Sequence, residues 1–150
     1  MSDARLDMLR PFFAQWFMGD PGAIRFASDL WEAAQQWDDL EDEGAGNHNA
    51  VLNWLSFEAM RDPFLSANTH VLKPALLQMY LDWSAANVLE KGSEDDIGKA
   101  WVLRAGLYRV FHVVSWLIGG HEHALKCGPE IWRTYGEGRT AFTEEMTHHA

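Results

Sequence analysis

The residues with the clearest chemical potential are the five carboxylates that fall within six positions, Asp38 to Glu43, in the stretch QQWDDLEDEGAGNHN. Asp42 follows Asp38 by four residues and Asp39 by three, so on a helix its side chain lies close to both. Neighbouring carboxylates that leave room for water suit Mg²⁺, and Mg²⁺ held in this way commonly serves a phosphate or pyrophosphate. The run therefore predicts a Mg²⁺ site formed by Asp38, Asp39 and Asp42.

The same run has a second interpretation, that of a solvated acidic surface. Gly44 and Gly46 follow it and predict the end of a helix, where the helix dipole is already negative. The like-charge pairs and the dipole together cost on the order of 2–4 kcal/mol if nothing compensates. Solvation and salt reduce that cost. A surface of this kind would suit a basic partner protein.

Three residues later in the chain are candidates to complete such a site. Asn87 and Glu90 lie three apart on a predicted helix, so both point the same way and could add metal ligands. The alternative for this pair is an ordinary polar surface, with Lys91 neutralising Glu90. Arg104 lies among apolar residues and requires an anion, which Asp39, Glu90 or a substrate phosphate would provide. Its alternative role is a purely structural ion pair.

Other reactive side chains fit no chemistry that the sequence can define. His121 and His123 alternate, so they do not share a helical face as the histidines of a zinc-protease helix do. Cys127 is the only cysteine and has no base beside it in the sequence, and it cannot form an internal disulfide. Transition-metal and thiol chemistry are therefore not expected.

Composition and charge restrict the class of protein. The chain has 150 residues, 47% of them hydrophobic, which predicts one folded domain over residues 1–150. A net charge of −10 opposes contact with a phosphate backbone, so direct nucleic-acid binding is not expected. The sequence shows neither a membrane span nor a signal peptide, and a cytoplasmic location is the expectation.

The elements that position these residues are all predicted to be helices, because the sequence lacks hairpin signals and sustained alternation. Asp20-Pro21 predicts the start of a helix that continues through the acidic run. Its apolar residues repeat at helical spacing and predict a buried stripe. The stripe consists of Ala23, Phe26, Leu30, Ala33, Trp37 and Leu40.

Further helices are predicted over residues 3–18, 50–61, 74–91 and 94–118 and near the C-terminus. The predicted breaks between them are Asp62-Pro63, Gly92, Gly119-Gly120 and Gly128-Pro129. Ser93 with the following acids predicts a capping box at the start of one helix. The pattern as a whole predicts a single-domain, all-α bundle of about six helices.

Two short acidic motifs resemble those of known enzymes. The residues Asp38-Asp39-Leu40-Glu41-Asp42 match the metal-binding signature of isoprenoid synthases, but the chain is too short for that family and no basic residue follows the run. Asp29-x-x-Glu32 resembles half of the paired acidic motifs of all-α nucleotide pyrophosphatases, although no partner pair follows in the sequence. Neither motif assigns a family.

A broader resemblance covers most of the chain. The protein resembles a group of short all-helical proteins of tailed bacteriophages in Trp37-Asp38-Asp39-Leu40 with Asp42, Asp62-Pro63-Phe64, and Trp83-Ser84-Ala85-Ala86-Asn87 with Glu90. Leu103-Arg104, Gly119-Gly120 and Gly128-Pro129-Glu130 extend the resemblance. It implies a viral origin and the cytoplasm of a bacterial host, and it carries no chemistry.

Two functions from different classes follow. The first is a small Mg²⁺-dependent enzyme that acts on a phosphate or pyrophosphate ester through the metal ligands and the arginine named above. The second is a non-enzymatic phage accessory protein that presents its acidic N-terminal third to a basic host protein.

Overall fold

A computed structural model describes residues 4–42, 48–135 and 139–148 of the chain. Within these ranges every regular element is helical and no strand occurs. None of the helices in that part of the chain combines the length and the apolar character needed to cross a membrane. The prediction of an all-α bundle is confirmed.

The helices follow one another with short connections. They are α1 (Ala4–Trp16), α2 (Pro21–Asp42), α3 (His48–Asn53), a π-helical turn (Trp54–Glu58), α4 (Ala59–Arg61), α5 (Pro63–Ala67), α6 (Thr69–Leu89), α7 (Glu94–Leu103), α8 (Gly106–Thr134) and α9 (Arg139–His148). The run from α3 through the π turn to α4 is continuous and is called helix 48–61. The chain forms two compact units, Met1–His70 with Leu117–Gly119 and Val71–Trp116 with Gly120–Ala150. The single domain expected over residues 1–150 stays a prediction.

Aromatic side chains dominate the core of the first unit. Phe13, Trp16 and Phe17 are fully buried, and the rings of Phe13 and Phe17 stack with their centroids 5.5 Å apart. Burying side chains of this size contributes roughly 1.5–3 kcal/mol each before the cost of ordering them. Helix α2 packs against α1, α3 and α5, so this core fixes the helix that carries the acidic run.

The start of α2 is as predicted. The carboxylate of Asp20 accepts a hydrogen bond from the backbone N–H of Ala23 at 2.9 Å, and Pro21 is the first helical residue. The predicted buried stripe is wrong in its last part, because the buried residues of α2 end at Trp31 and Trp37 is 37% exposed. Helical spacing identifies the residues of one face but not the point at which neighbouring helices stop covering it.

The second unit contains a small apolar cluster where α7 packs against α9, made of Ala86, Ile97, Ala100 and Phe142. The capping box at the start of α7 is confirmed. Ser93 accepts a hydrogen bond from the backbone N–H of Asp96, and the Asp96 carboxylate accepts one from the backbone N–H of Ser93.

The helix predicted over residues 94–118 is interrupted, and this prediction is wrong. Helix α7 ends at Leu103 and α8 begins at Gly106, with a turn at Arg104 and Ala105. Gly106 lies so close to α6 that a Cβ atom there would be 3.4 Å from the Cα of Met79. This close approach of two backbones is a tertiary contact, which the periodicity of one segment cannot reveal.

The break predicted at Gly128-Pro129 is also wrong, because both residues lie inside α8. Gly128 packs directly on the imidazole of His112, where a Cβ atom would be 2.9 Å from Cε1. Gly120, by contrast, has a φ of 83° and interrupts the helical path, as the double glycine predicts. Helix α6 begins at Thr69 rather than at Pro74, which lies within it.

Candidate functional site

The acidic run occupies the last turns of α2 in the first unit. The helix extends to Asp42 as expected, whereas Gly44 and Gly46, which were expected to end it, lie outside the described residues. Asp38 and Asp39 are half-buried. The expectation of an exposed helical run is therefore confirmed for helicity and holds only in part for exposure.

The predicted Mg²⁺ site at Asp38, Asp39 and Asp42 stays a prediction, because the side chain of Asp42 lies outside the described part of the structure. Among the side chains that the structure describes, no group of three or more His, Cys, Asp or Glu is placed to hold a metal ion. Asn87, Glu90 and Arg104 belong to the second unit, so their convergence on the run also stays a prediction.

The ion pair expected of Arg104 is confirmed. Its guanidinium donates to the carboxylate of Glu90, and the two side chains are only 17% and 13% exposed. Glu90 follows the end of α6, so the pair joins two different elements. This pairing does not test whether Arg104 binds phosphate or whether Glu90 binds a metal ion, so both roles stay predictions.

The side-chain oxygen of Asn87 is an acceptor in an unusual environment. Its Oδ1 atom is buried and finds no hydrogen-bond partner among the described residues. A buried oxygen in this state costs roughly 1–3 kcal/mol. A cation or a donor at Asn87 would remove that cost. The role of Asn87 as a metal ligand stays a prediction.

A cavity of about 650 Å³ opens between α2 and helix 48–61 in the first unit. Its lining includes three carboxylic acids, Asp29, Glu32 and Glu58, together with Arg25 and the indole of Trp54. A volume of this size is typical of sites for small molecules. Acidic side chains of α2 and of helix 48–61 therefore meet in this cavity.

The side chains of this lining come from two helical segments, and on each segment they follow a regular spacing. On α2, Asp29, Glu32 and Gln36 lie at intervals of three and four residues, which places them on the polar face of the helix. On helix 48–61, Trp54 and Glu58 are the first and last residues of the π turn. Turns of this kind are frequent at functional sites, because the wider turn redirects side chains.

The electrostatics of the cavity centre on Asp29. Burial raises the pKa of its carboxyl above the ordinary value of 3.8, the nearby Arg25 lowers it, and the carboxylates of Asp62, Glu32 and Glu58 raise it. The Nε of Arg25 lies 3.8 Å from Oδ2 of Asp29. The net direction is upward, so Asp29 holds its proton to a higher pH than an isolated aspartate does.

Sequence reasoning found one side of this cavity and missed the other. Asp29 and Glu32 carry the resemblance to a paired acidic motif, and Glu58 was overlooked because it does not belong to a second pair of the expected spacing. One signal was available. Glu58 is the only charged residue in the apolar segment 51–60, and an isolated charge of this kind often marks a specific contact.

A second missed feature is a base beside Cys127. The Nε2 atom of His123 lies 3.4 Å from the Cys127 sulfur, four residues earlier on α8. Cys127 has no base beside it in the sequence, but the helix brings His123 next to it, and the i,i+4 spacing was the signal for this contact. Burial and then Glu130 raise the pKa of the Cys127 thiol, and Lys126 lowers it, so the group is held in the neutral, unreactive form.

Comparisons with protein-family models, with characterised proteins and with solved structures find no match for this chain. By its fold and its cavity, the chain is an all-α protein with an acid-lined cavity beside α2. The resemblance to short bacteriophage proteins stays a prediction.

Proposed function

We propose that the protein is a small Mg²⁺-dependent enzyme that acts on a phosphate or pyrophosphate ester in the cavity between α2 and helix 48–61. The observation that carries the proposal is the composition of the lining. Asp29, Glu32 and Glu58 come from two elements and line the same cavity as Arg25.

The net negative charge of the cavity lining favours an anion that binds together with a cation. Three carboxylates would repel a bare phosphate, and the single guanidinium of Arg25 does not compensate for them. Mg²⁺ is commonly held by one or two carboxylates, with water and phosphate oxygens completing its shell. Such a site does not require the ready-made cage of three acids that is missing among the described residues.

Asp29 and Arg25 would have distinct roles. Asp29 has a raised pKa and is a stronger base than an ordinary carboxylate, which suits it to take a proton from an attacking water molecule. Arg25 offers a planar guanidinium to a phosphate oxygen. Its ion pair with Asp29 is long, at 3.8 Å, and its side chain is 71% exposed, so the guanidinium can turn towards a ligand.

The acidic run extends the same surface of α2. Asp39 follows Gln36 by three residues, and Gln36 lines the cavity, so Asp39 continues the face that carries Asp29 and Glu32. Asp38 and Asp39 would then attract the cation to the cavity rather than form a separate centre. A contribution of Asn87, Glu90 or Arg104 to this site remains a prediction.

The experiment combines cation binding with turnover. Mn²⁺ replaces Mg²⁺, and the fall in the free-ion electron paramagnetic resonance signal reports binding, with and without inorganic pyrophosphate. Phosphate release from pyrophosphate and from nucleoside triphosphates is measured in Mg²⁺. We expect pyrophosphate to strengthen Mn²⁺ binding, and we expect the variants Asp29→Asn and Glu32→Gln to abolish both signals.

The matched control is Glu144→Gln, which removes an exposed acid of α9 and should leave both signals unchanged. An unaltered Mn²⁺ signal together with no phosphate release from any substrate would overturn the proposal.

A second candidate is the non-enzymatic interaction protein, which a different observation favours. Helix 48–61, which contributes Glu58 to the cavity, exposes four large apolar side chains. They are Leu52 (59%), Leu55 (51%), Phe57 (64%) and Met60 (74%). An apolar surface next to carboxylates suits a basic amphipathic helix of a partner protein.

Calorimetric titration with a lysine-rich amphipathic peptide tests this candidate. Binding should weaken in high salt and should be lost in the variant with Phe57→Ser and Met60→Ser, whereas Mn²⁺ binding should be unaffected by these substitutions. Peptide binding that persists in this variant would remove the candidate.

A further inference from the structure

Helix α6 presents an uncharged face over several turns. Between Lys73 and Glu90 the only charged residue is Asp82. Its side chain is only 10% exposed, accepts a hydrogen bond from Gln78 at 2.7 Å and lies 3.7 Å from the guanidinium of Arg109. The exposed part of this segment therefore carries no charge, in a chain whose net charge is −10.

The exposed residues of this face are large and apolar. Leu77 is 58% exposed, Tyr80 50%, Leu81 49% and Val88 73%. Leu77, Leu81, Ser84 and Val88 follow one another at intervals of four, three and four residues, which is the spacing of a coiled-coil seam. The hydroxyl of Ser84 donates to the carbonyl of Tyr80 at 2.8 Å, so it brings no unsatisfied donor to the seam.

We infer that the α6 face, defined as Leu77, Tyr80, Leu81, Ser84, Ala85 and Val88, pairs with the same face of a second copy in an antiparallel arrangement. The size of the side chains supports this choice of occupant. A two-fold axis between positions 82 and 83 would place Leu77 opposite Val88. It would also place Tyr80 opposite Ala85, and Leu81 opposite Ser84. Tyr80 and Leu81 then meet small residues, Leu77 meets the shorter Val88, and the face is complementary to itself.

A parallel pairing would be worse packed. It would set Ser84 against Ser84 and Ala85 against Ala85, which leaves space around these small residues, whereas the antiparallel register fills that space with Leu81 and Tyr80. The antiparallel register also places Lys73 opposite Gly92 rather than opposite another cation. The side chains of the α6 face therefore favour the antiparallel direction over the parallel one.

Charge and area both favour a second copy. Two chains of charge −10 repel each other, and an uncharged face is where they can approach without opposing carboxylates. The half-exposed side chains of the α6 face would bury on the order of 1,000 Å² over both copies, which lies at the low end of specific interfaces. The expected product is a weak dimer that forms with increasing concentration.

Sedimentation equilibrium over roughly 5–500 µM tests the inference, since this range brackets a dissociation constant of about 50 µM, as expected of a weak dimer. Leu81→Arg should raise the dissociation constant at least about a hundredfold, because it would bury two unpaired guanidinium groups. The matched control is Leu125→Arg, which changes a leucine of α8 that is 62% exposed and lies outside the α6 face. A monomer at every concentration, or an equal effect of both variants, would overturn the inference.

Cysteine cross-linking tests the direction and does not depend on the folding of the arginine variants. In a Cys127→Ser background, the proteins with Leu77→Cys and Val88→Cys are oxidised alone and as a mixture. The antiparallel register predicts a cross-link in the mixture only. The two positions are about 16 Å apart along one helix, so neither should join to itself. Self-linking of either variant would exclude the antiparallel pairing, as would the absence of a cross-link in the mixture.

Discussion

At the scale of single residues, burial decides what a charge can do. Arg104 and Glu90 are only 17% and 13% exposed and pair with each other, and burial raises the pKa of Asp29 in its cavity. A charge that is taken out of water interacts more strongly with its neighbours and is costly without a partner. These residues therefore affect stability more than fully exposed charges do.

The pair of Arg104 and Glu90 leads to the first prediction. Arg104→Met should lower the free energy of unfolding by about 2–4 kcal/mol, because it leaves a nearly buried carboxylate without its partner. Replacing both residues, with Glu90→Leu added, should recover most of that loss, since no buried charge then remains. Urea unfolding of the single and double variants measures both effects. A neutral result for the single variant would show that the Glu90 carboxylate reaches water.

The carboxyl of Asp29 leads to the second prediction, which concerns pH. Its pKa is raised by folding, so the native state binds this proton more tightly than the unfolded chain does. The group therefore favours the native state below its ordinary pKa of 3.8 and loses that contribution as the pH rises through the folded value. Asp29→Asn should raise the melting temperature at pH 7, and the gain should disappear near pH 3.

Thermal unfolding at the two pH values measures this effect. Asp95→Asn is the matched control, because it replaces an exposed aspartate of α7 that is paired with Lys99 and should show no gain at pH 7. A loss of stability in Asp29→Asn at pH 7 would mean that the attraction to Arg25 outweighs the burial of Asp29.

At the scale of helices, local signals predicted the capped starts of α2 and α7 but not the residues at which α6 and α8 begin. The caps at Asp20 and Ser93 depend on hydrogen bonds within three residues, so the sequence contains all the information they require. The break before Gly106 and the continuous helix through Gly128 depend instead on contacts with α6 and with His112. Those partners are distant in the sequence, and the cavity escaped prediction for the same reason, since Glu58 comes from a second helix.

The capping box at the start of α7 leads to the third prediction. Ser93→Ala should cost about 1 kcal/mol, because it leaves the backbone N–H of Asp96 without its acceptor. Ser66→Ala replaces an exposed serine of α5 that has no such role and should stay within about 0.5 kcal/mol. Guanidinium unfolding gives both values, and equal effects of the two substitutions would contradict the assigned cap.

The packing of Gly128 on His112 leads to the fourth prediction. Alanine would improve the helix propensity by about 1 kcal/mol, but overpacking of an enclosed site costs about 1–3 kcal/mol. The added Cβ would displace the imidazole and disturb its contact with the carbonyl of Ala124, now 2.9 Å away. Gly128→Ala should therefore be destabilising in the wild-type chain and should become stabilising when combined with His112→Ala. Thermal melts of the three variants decide this, and additive effects would contradict the steric account.

At the scale of the whole molecule, the net charge of −10 must be distinguished from a specific cation site. A cation that binds only the native state raises its stability by about 2.7 kcal/mol at a hundred times the dissociation constant. The fifth prediction is that MgCl₂ raises the melting temperature more than NaCl does at matched ionic strength. Simple screening would make the two salts equivalent.

Two double variants locate the binding residues on α2. Asp29→Asn with Glu32→Gln removes acids of the cavity, and Asp38→Asn with Asp39→Asn removes the first acids of the run. The excess effect of Mg²⁺ should be lost in the first variant and reduced in the second. Equal shifts from both salts, unchanged in either variant, would exclude the metal site and leave the interaction protein as the better account.

The solitary thiol of Cys127 makes the second unit accessible to a chemical measurement of its own fluctuations. Cys127 is 7% exposed and the pKa of its thiol is raised, so a disulfide reagent in solution reacts with it slowly while the packing around it is intact. Every productive encounter then requires a transient opening around Cys127, and the labelling rate divided by that of a free thiol gives the equilibrium constant of this opening. Because the chain has one cysteine, a change in absorbance of the released reagent reports this event alone, without isotopes or an engineered label.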